Sequence, residues 1–214
     1  MKYIPDGYFI SLEGTEGTGK STQCQMITER LTEAGYAVKS IREPGGTAVG
    51  EKIRELVKHR YEGTPPTPVA ELLLMGASRA QLMQEVITEE LNAGKIIVCD
   101  RFADSTTVYQ GVGRDLDREF IKAMHKITIG QREPDITFLL DINPELGLKR
   151  AQTRNTDTDV FEQEDLSFHC KIRQGFLELA EENPERINVV AVDKPPENVN
   201  NEIMDVILNE LEKY

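Results

Sequence analysis

The chain has 214 residues, of which 39% are hydrophobic and 29% are charged, a balance that excludes a disordered or fibrous protein. Its 37 acidic and 25 basic residues give a formal net charge of −12, so its overall field repels nucleic acid and anionic lipid. The length suits one domain, and the sequence shows neither a signal-peptide pattern nor an apolar stretch long enough to span a membrane. We therefore expect a single cytoplasmic domain over residues 1–214, with no nucleic-acid or membrane partner.

Short apolar runs alternate along the chain with longer segments of helical periodicity. The runs that predict strands cover residues 8–12, 37–41, 96–99, 136–140 and 187–192. The segments that predict helices include residues 19–34, a helix ending near 58, a long helix over 69–92, one ending near 183 and one beginning at 196. This alternation predicts an α/β fold: one doubly wound domain with a five-stranded parallel sheet flanked by helices.

A glycine-rich segment directly follows the first predicted strand. Residues 14–21, GTEGTGKS, match the pattern Gly-x-x-x-x-Gly-Lys-Ser/Thr between a strand and a helix. In this P-loop the backbone N–H groups surround phosphate oxygens, the lysine contacts the terminal phosphates and the hydroxyl binds Mg²⁺. We therefore expect a nucleoside triphosphate site with Lys20 as a catalytic residue and Ser21 as a Mg²⁺ ligand. The residues assigned to ATP in this segment and directly after it are Gly14, Thr15, Glu16, Gly17, Thr18, Gly19, Lys20, Ser21 and Thr22.

Two further polar clusters follow the second and third predicted strands. Residues 42–47 read REPGGT, and Asp100 and Arg101 follow the third strand. Ligands of such sheets bind at the carboxyl ends of the strands, so we expect these clusters near the P-loop. Asp100 can serve as a second Mg²⁺ ligand, and the permanently charged guanidinium of Arg101 suits a phosphate. The sequence contains no guanine-reading NKxD-type segment, so transfer of a phosphoryl group to a small acceptor is favoured over a GTPase.

Four segments together resemble bacterial thymidylate kinases, members of the P-loop nucleoside monophosphate kinases. They are GTEGTGKST, REPGGT, DRFADSTTVYQG and PDITFLLDINPELGLKR, and their order and spacing match over essentially the whole chain. The resemblance implies Mg²⁺-dependent phosphorylation of dTMP by ATP, a homodimer, and a small lid at about residues 150–163. The residues that it assigns to dTMP are Glu16, Arg54, Met75, Arg79, Arg101, Ser105, Thr106, Tyr109 and Gln110.

The resemblance also implies a role for most of these side chains. Glu16 corresponds to the acid that meets the sugar 3′-hydroxyl, and Arg54 and Arg101 to the pair that binds the dTMP phosphate, Arg101 also being a catalytic candidate. Arg79 and Thr106 correspond to residues that read the thymine edge.

Three further expectations concern the shape of the acceptor pocket. Tyr109 corresponds to a ring packed against the deoxyribose, where it can exclude a 2′-hydroxyl by its bulk. Met75 stands where similar kinases usually have an aromatic ring on thymine, and its thioether can pack on a π-face. The turn at Glu43–Pro44 is followed by two glycines, and the resemblance implies a cis peptide bond there.

The polar segment at residues 149–159 predicts a helix that passes into the lid. Because P-loop positions 15–18 carry no basic residue, the cation that stabilises the transition state must come from elsewhere. Arg154 is the catalytic candidate and Arg150 is assigned to ATP, on one helical face if the helix continues that far. Asp159, Glu162 and Glu164 are possible partners of the metal or of an arginine.

The three histidines, His59, His125 and His169, lie outside all these motifs. We expect them at structural or surface positions.

Two alternatives remain open from the residues. One is another deoxynucleoside or nucleotide kinase, for which Glu16 is the candidate base. The other is a P-loop module that holds nucleotide without transferring phosphate, although the second phosphate-binding cluster around Arg101 argues against it.

Overall fold

The computed structural model describes residues 1–58, 64–153 and 160–214, and its core is one five-stranded parallel sheet. The strand order is β2-β3-β1-β4-β5, with every neighbouring pair parallel. The predicted doubly wound α/β class is therefore confirmed. The strands are β1 Tyr8–Glu13, β2 Val38–Arg42, β3 Ile96–Asp100, β4 Ile136–Asp141 and β5 Ile187–Ala191.

Helices connect the strands and cover both faces of the sheet. They are α1 Lys20–Glu33, α2 Ala48–Lys58, α3 Pro68–Leu82, α4 Thr88–Asn92, α5 Ala103–Thr106, α6 Arg118–Thr128, α7 Pro144–Gln152, α8 Leu166–Glu182 and α9 Pro196–Leu211. Two π-helical turns, Met83–Ile87 and Thr107–Gly113, join α3 to α4 and extend α5, and a 3₁₀ turn covers Phe161–Gln163. The long helix predicted over 69–92 thus exists with a π turn inside it. Helix α7 ends at Gln152 and carries Arg150, whereas Arg154, expected on the same helical face, lies outside the described residues.

The alternation of side chains along β1 explains why both faces of the sheet are apolar. Ile10 and Leu12 pack in one cluster with α1 and α9, whereas Phe9 packs in another with the α3–α4 segment. The central strands β1, β3 and β4 are buried along nearly their whole length, but the edge strand β2 is largely exposed. No helix of the described residues is long and apolar enough to cross a membrane.

The register of the sheet brings the polar clusters to one edge. Leu12 on β1 is paired with Asp100 on β3 and with Phe138 on β4, so these strands end side by side. The P-loop after β1 and the Asp100–Arg101 segment therefore begin next to each other. This placement confirms that the sequence motifs share the carboxyl edge of the sheet.

A contact between two glycines holds α7 against the P-loop. A Cβ atom on Gly147 would lie 2.5 Å from the backbone oxygen of Glu16, and one on Gly17 would lie 1.9 Å from the backbone oxygen of Gly147. Gly17 also has a φ of +73°, which side chains rarely adopt. The first turn of α7 is fixed by Asn143, whose side chain accepts from the backbone N–H of Glu145 at 2.9 Å. The loop and α7 can approach this closely because neither glycine has a side chain.

We expect Gly147→Ala to destabilise the protein even though alanine favours helix formation by ~1 kcal/mol. The added methyl group would push α7 away from the backbone of the P-loop, at a cost of ~1–3 kcal/mol. Denaturant unfolding would measure the change, with Lys149→Ala at an exposed position of α7 as the matched control. Equal free energies of unfolding for the two variants would contradict the proposed close packing.

Candidate active site

A cleft opens at the carboxyl edge of the sheet and contains both the P-loop and the Asp100–Arg101 cluster. The described residues that line it are Glu16, Gly17, Gly19, Lys20, Ser21, Arg42, Glu43, Pro44, Arg54, Val57, Lys58, Met75, Asp100, Arg101, Ser105, Tyr109, Gln110, Phe161 and Glu162. Most of the residues assigned from the sequence to ATP phosphates and to dTMP therefore share one cavity.

The P-loop is wound tightly enough for its lysine to contact its own backbone. Nζ of Lys20 donates to the backbone oxygens of Gly14 at 3.0 Å and Thr15 at 2.6 Å. Lys20 is also the first residue of α1, so the N-terminus of that helix faces the loop. Burial and the nearby charge of Arg101 lower the pKa of Lys20 to about 8, against the opposing effect of nearby carboxylates. An anion bound here would relieve the repulsion between the two cations.

The two predicted Mg²⁺ ligands lie in contact with each other. Oγ of Ser21 donates to Oδ2 of Asp100 at 2.5 Å across the junction of α1 and β3. A hydroxyl and a carboxylate are both hard oxygen donors of the kind that Mg²⁺ takes together with phosphate oxygens. The pair therefore fits a nucleotide-bound Mg²⁺.

Arg101 links the P-loop to the segment that carries Ser105 and Tyr109. Its Nη1 donates to the backbone oxygen of Gly14 at 3.0 Å and to Oγ of Ser105 at 3.2 Å. Its Nη2 donates to Oε1 of Glu16 at 3.1 Å and to the hydroxyl of Tyr109 at 3.3 Å. The residue has a φ of +71°, a left-handed conformation that is unusual for a residue with a side chain. This bend turns the guanidinium into the cleft.

The carboxylate of Glu16 is held by three side chains that are far from it in sequence. Its Oε1 accepts from the hydroxyl of Tyr109 at 2.6 Å and from Arg101, and its Oε2 lies 3.2 Å from Nδ1 of His169. Burial alone would raise the pKa of Glu16, but His169, Arg101, Lys20 and Tyr109 outweigh it and lower the pKa to about 2. Glu16 is therefore ionised throughout the neutral range.

The position of His169 corrects the sequence interpretation. We expected all three histidines to stand outside the functional clusters, yet His169 on α8 is 1% exposed and contacts Glu16. His125 is half-buried, with its Nε2 3.0 Å from Oγ1 of Thr107, and His59 lies outside the described residues. The helical pattern of α8 gave no sign of the contact, because the partners are 153 positions apart.

A second residue that sequence reasoning missed is Glu13, the last residue of β1. Its Oε1 accepts from the backbone N–H of Phe102 at 2.7 Å, and its Oε2 accepts from Oγ of Ser105 at 2.5 Å. Burial and the nearby charge of Asp104 raise the pKa of Glu13 to about 8, although its hydrogen bonds and Arg101 oppose the shift. Glu13 fixes the segment that carries Arg101 from behind the cleft.

The REPGGT segment forms the opposite wall, and its Glu43–Pro44 bond is cis, as predicted. Nη1 of Arg54 donates to the backbone oxygen of Pro44 at 2.8 Å, which directs Arg54 along this wall. Nη2 of Arg79 donates to Oε2 of Glu43 at 2.6 Å and to Oγ1 of Thr106 at 3.0 Å.

Arg79 and Thr106 are fully buried and do not belong to the described lining of the cleft. Nη1 of Arg79 is nevertheless buried without a hydrogen-bond partner among the described residues. Such an unmatched charged donor is costly in a protein interior, so an acceptor that reached it would stabilise the structure.

The remaining wall of the cleft is mostly apolar. Tyr109 is buried with its ring edge against Phe161, and Met75 packs with Ile53 and Val57 of α2. Gln110 donates through Nε2 to Glu71 at 2.8 Å, while its Oε1 is buried without a hydrogen-bond partner among the described residues. A flat ring with polar edges would fit this mixture of apolar contacts and unmatched polar atoms.

A second cavity lies on the other side of the P-loop. Its described lining comprises Gly17, Thr18, Gly19, Thr22, Gln23, Arg150, Val192, Lys194, Pro196 and Val199. Arg150 donates to the backbone oxygen of Val192 at 3.0 Å, which ties the end of α7 to the end of β5. Two further candidates, Arg154 and Asp159, lie outside the described residues.

We expect Glu13→Gln to remove a pH-dependent loss of stability. Between about pH 4.5 and 8 the folded protein keeps a proton on Glu13 that the unfolded chain releases, so stability falls as pH rises. Glutamine cannot ionise, so the variant should gain stability relative to the parent with rising pH, by up to ~1.4 kcal/mol per pH unit. Denaturant unfolding at several pH values would measure this difference, with the exposed Glu145→Gln as a control for loss of one negative charge. Parallel pH profiles of the parent and Glu13→Gln would contradict it.

Comparison with known proteins agrees with this geometry. A family model described as thymidylate kinase matches residues 12–203. The thymidylate kinase of Synechococcus sp. (strain JA-2-3B'a(2-13)) is 46% identical over 199 residues, covering 93% of each chain. The thymidylate kinase of Deinococcus radiodurans is 44% identical over 200 residues, covering 94% of this chain and 96% of its own. The crystal structure of thymidylate kinase from Ehrlichia chaffeensis superimposes with a TM-score of 0.79 at 31% identity, covering 95% of this chain and all of that one. The chain belongs to the thymidylate kinase family.

Proposed function

We propose that the cleft and the adjoining cavity are the dTMP and ATP subsites of an ATP:dTMP phosphotransferase. As a thymidylate kinase, the protein transfers the γ-phosphoryl group of ATP to dTMP and forms dTDP and ADP. The observation that carries the assignment of the two subsites is that one P-loop separates two cavities and contributes residues to both. A nucleotide in each cavity would bring its phosphates to the same loop.

Catalysis in this arrangement is positioning and charge neutralisation. The backbone of the P-loop, the N-terminus of α1 and Lys20 bind the β- and γ-phosphates of ATP, and Arg101 lies on the acceptor side of the same phosphates. A Mg²⁺ ion held by Ser21 and Asp100 would neutralise charge on the phosphate oxygens. The phosphate of dTMP is already ionised near neutral pH, so no general base is required.

The acceptor side binds the phosphate and the sugar. Arg54 and Arg101 supply two guanidinium groups for the dTMP phosphate, which can form bidentate contacts with each. The carboxylate of Glu16 accepts a hydrogen bond from the 3′-hydroxyl of the deoxyribose. Its lowered pKa of about 2 keeps it ionised, and so an acceptor, at all physiological pH values. The hydroxyl of Ser105, already bonded to Glu13 and Arg101, holds the guanidinium in line with the phosphate.

The base is recognised by two polar atoms and one thioether. Thymine presents a carbonyl oxygen at position 4 and an N–H group at position 3, which complement Nη1 of Arg79 and Oε1 of Gln110. Gln110 lines the cleft and its Oε1 lacks a partner among the described residues, which supports its pairing. The pairing with Arg79, which is not among the described lining residues, is what the resemblance implies. Thr106 orients Arg79 through its hydroxyl, and Met75 packs on the face of the ring.

The lid, the dimer and the cellular location are part of the same proposal. We assign residues 1–214 to one kinase domain with a lid at about 150–163, since Phe161 and Glu162 line the cleft.

A homodimer in the cytoplasm is expected, with α2, α3 and α6 at the interface. Exposed apolar side chains on these packed helices, Leu56, Leu73 and Phe120, support it. Sedimentation of a monomer at micromolar concentration would exclude the dimer.

A coupled assay of ADP formation tests the whole assignment. The acceptors are dTMP, dUMP, thymidine, dGMP and none, each with ATP and Mg²⁺. We expect the highest kcat/KM with dTMP, and little ADP with thymidine because the acceptor phosphate is absent. Preference for thymidine would indicate a nucleoside kinase, and ADP formation that no acceptor stimulates would indicate a nucleotide-binding module.

We expect Tyr109→Ala to reduce discrimination against the ribose sugar. The kcat/KM ratio of dTMP to ribothymidine monophosphate should fall by about tenfold or more, because the ring that excludes the 2′-hydroxyl is gone. Tyr109→Phe is the matched control: it keeps the ring, and so the ratio, but loses the hydroxyl that donates to Glu16. A ratio unchanged by Tyr109→Ala would make Tyr109 a core residue only.

We expect Arg154→Ala to lower kcat by at least ~10²-fold with little effect on dTMP affinity, because its guanidinium would act on the transferred phosphoryl group. Arg150→Ala should instead raise the KM for ATP more than it lowers kcat, since Arg150 lines the second cavity. Lys149→Ala, at an exposed position next to Arg150, is the control for both. Near-parental single-turnover chemistry in Arg154→Ala would shift the catalytic role to Lys20 and Arg101.

A further inference from the structure

His169 makes a contact that none of the roles above uses. It is 1% exposed, and its Nδ1 lies 3.2 Å from Oε2 of Glu16. Its Nε2 is buried and has no hydrogen-bond partner among the described residues. Buried polar groups are normally paired. An imidazole that contacts the carboxylate of Glu16 through one nitrogen and leaves the other unpaired therefore calls for an explanation.

The direction of the hydrogen bond follows from the state of the carboxylate. Glu16 is ionised and can only accept, so Nδ1 of His169 must carry the proton and donate. The imidazole therefore serves Glu16 as a hydrogen-bond donor through Nδ1.

The two oxygens of Glu16 are used differently by the described residues. Oε1 accepts from both the hydroxyl of Tyr109 at 2.6 Å and Nη2 of Arg101 at 3.1 Å. Oε2 accepts from His169 alone among these residues. A carboxylate oxygen can accept about two hydrogen bonds, so Oε2 keeps room for one more donor.

The backbone of α8 holds His169 in this position. The side chain of Asp165 caps the helix by accepting from the backbone N–H of Phe168 at 2.8 Å. The ring of Phe168 in turn packs at its edge against Tyr109, with ring centroids 6.3 Å apart. The start of α8 is thus anchored to the same tyrosine that contacts Glu16.

We propose that His169 is a positioning residue of the acceptor site, which fixes the carboxylate of Glu16 so that Oε2 accepts the hydroxyl of the acceptor sugar. This inference rests on the proposed assignment of Glu16 to the 3′-hydroxyl of dTMP. A histidine that only filled space would affect substrates with and without that hydroxyl equally.

The first experiment compares two substitutions on two acceptors. His169→Leu keeps a similar bulk without the donor, and His169→Asn places an amide N–H where Nδ1 stands. The acceptors are dTMP and 2′,3′-dideoxythymidine monophosphate, which lacks the 3′-hydroxyl. We expect His169→Leu to lower kcat/KM for dTMP by about tenfold or more, the usual effect of losing a hydrogen bond to a charged group, and for the dideoxy acceptor by less than about twofold. His169→Asn should return the dTMP value to within about threefold of the parent.

The second experiment asks whether the effect passes through Glu16. A double-mutant cycle combines His169→Leu with Glu16→Gln and measures kcat/KM for dTMP. In the Glu16→Gln background we expect His169→Leu to change the rate by less than about twofold, because the carboxylate that it positions is gone. Additive losses, or no recovery by His169→Asn, would overturn the inference.

The same variants separate this inference from the assignment on which it rests. If the cycle shows coupling but Glu16→Gln weakens both acceptors equally, His169 positions Glu16 and the sugar-hydroxyl assignment is wrong. If Glu16→Gln weakens dTMP alone and the cycle is additive, the assignment stands and His169 has only a packing role. Thermal unfolding of each variant establishes that the kinetic comparisons are made on folded protein.

Discussion

The carboxylate of Glu16 is the point at which distant segments of the chain meet. It belongs to the P-loop, and its partners come from the segment after β3, from the π turn that extends α5, and from α8. Burial disfavours the charged form of an acid, so the ionised state of Glu16 depends on all these donors being in place. Loss of one partner of a buried charge is far more damaging than loss of a surface ion pair. The geometry of the cleft therefore depends on this one charge.

An acidic protein can bind two polyanionic nucleotides because local charge, rather than net charge, decides what enters a cleft. Lys20, Arg54 and Arg101 line the cavity, whereas Glu13 lies behind it and positions the segment that carries one of these cations. Lys20 and Arg101 repel each other enough to help lower the pKa of Lys20. The site is therefore built around an anion, and phosphate oxygens between the two cations would lower its free energy.

The parts of the structure that follow local rules could be predicted from the sequence. The fold could be predicted from the apolar runs and the glycine-rich motif. The contact between the P-loop and Asp100 could be predicted because the strands of a parallel sheet end at the same edge. The contacts of Glu13 and His169 could not be predicted, because each depends on register or packing between segments that are far apart. In the sequence Glu13 is only the residue that follows the predicted strand over 8–12. Its carboxylate accepts from the backbone N–H of Phe102 because β1 is paired with β3. The hydrophobic periodicity likewise did not predict the π turn at Met83–Ile87 within the long helix.

The conformation of Arg101 shows how the fold accepts local strain in order to aim a side chain. A glycine would adopt its φ of +71° without strain, whereas a residue with a Cβ pays roughly 1–2 kcal/mol there. The backbone N–H of Arg101 donates to the backbone oxygen of Leu12 at 3.0 Å, and the backbone N–H of Phe102 donates to Oε1 of Glu13. Both ends of the bend are therefore fixed. Glycine would relax the turn but remove the guanidinium that contacts Gly14 and Glu16. Because the guanidinium contacts both the P-loop and Tyr109, the strain is best understood as a requirement of the cleft.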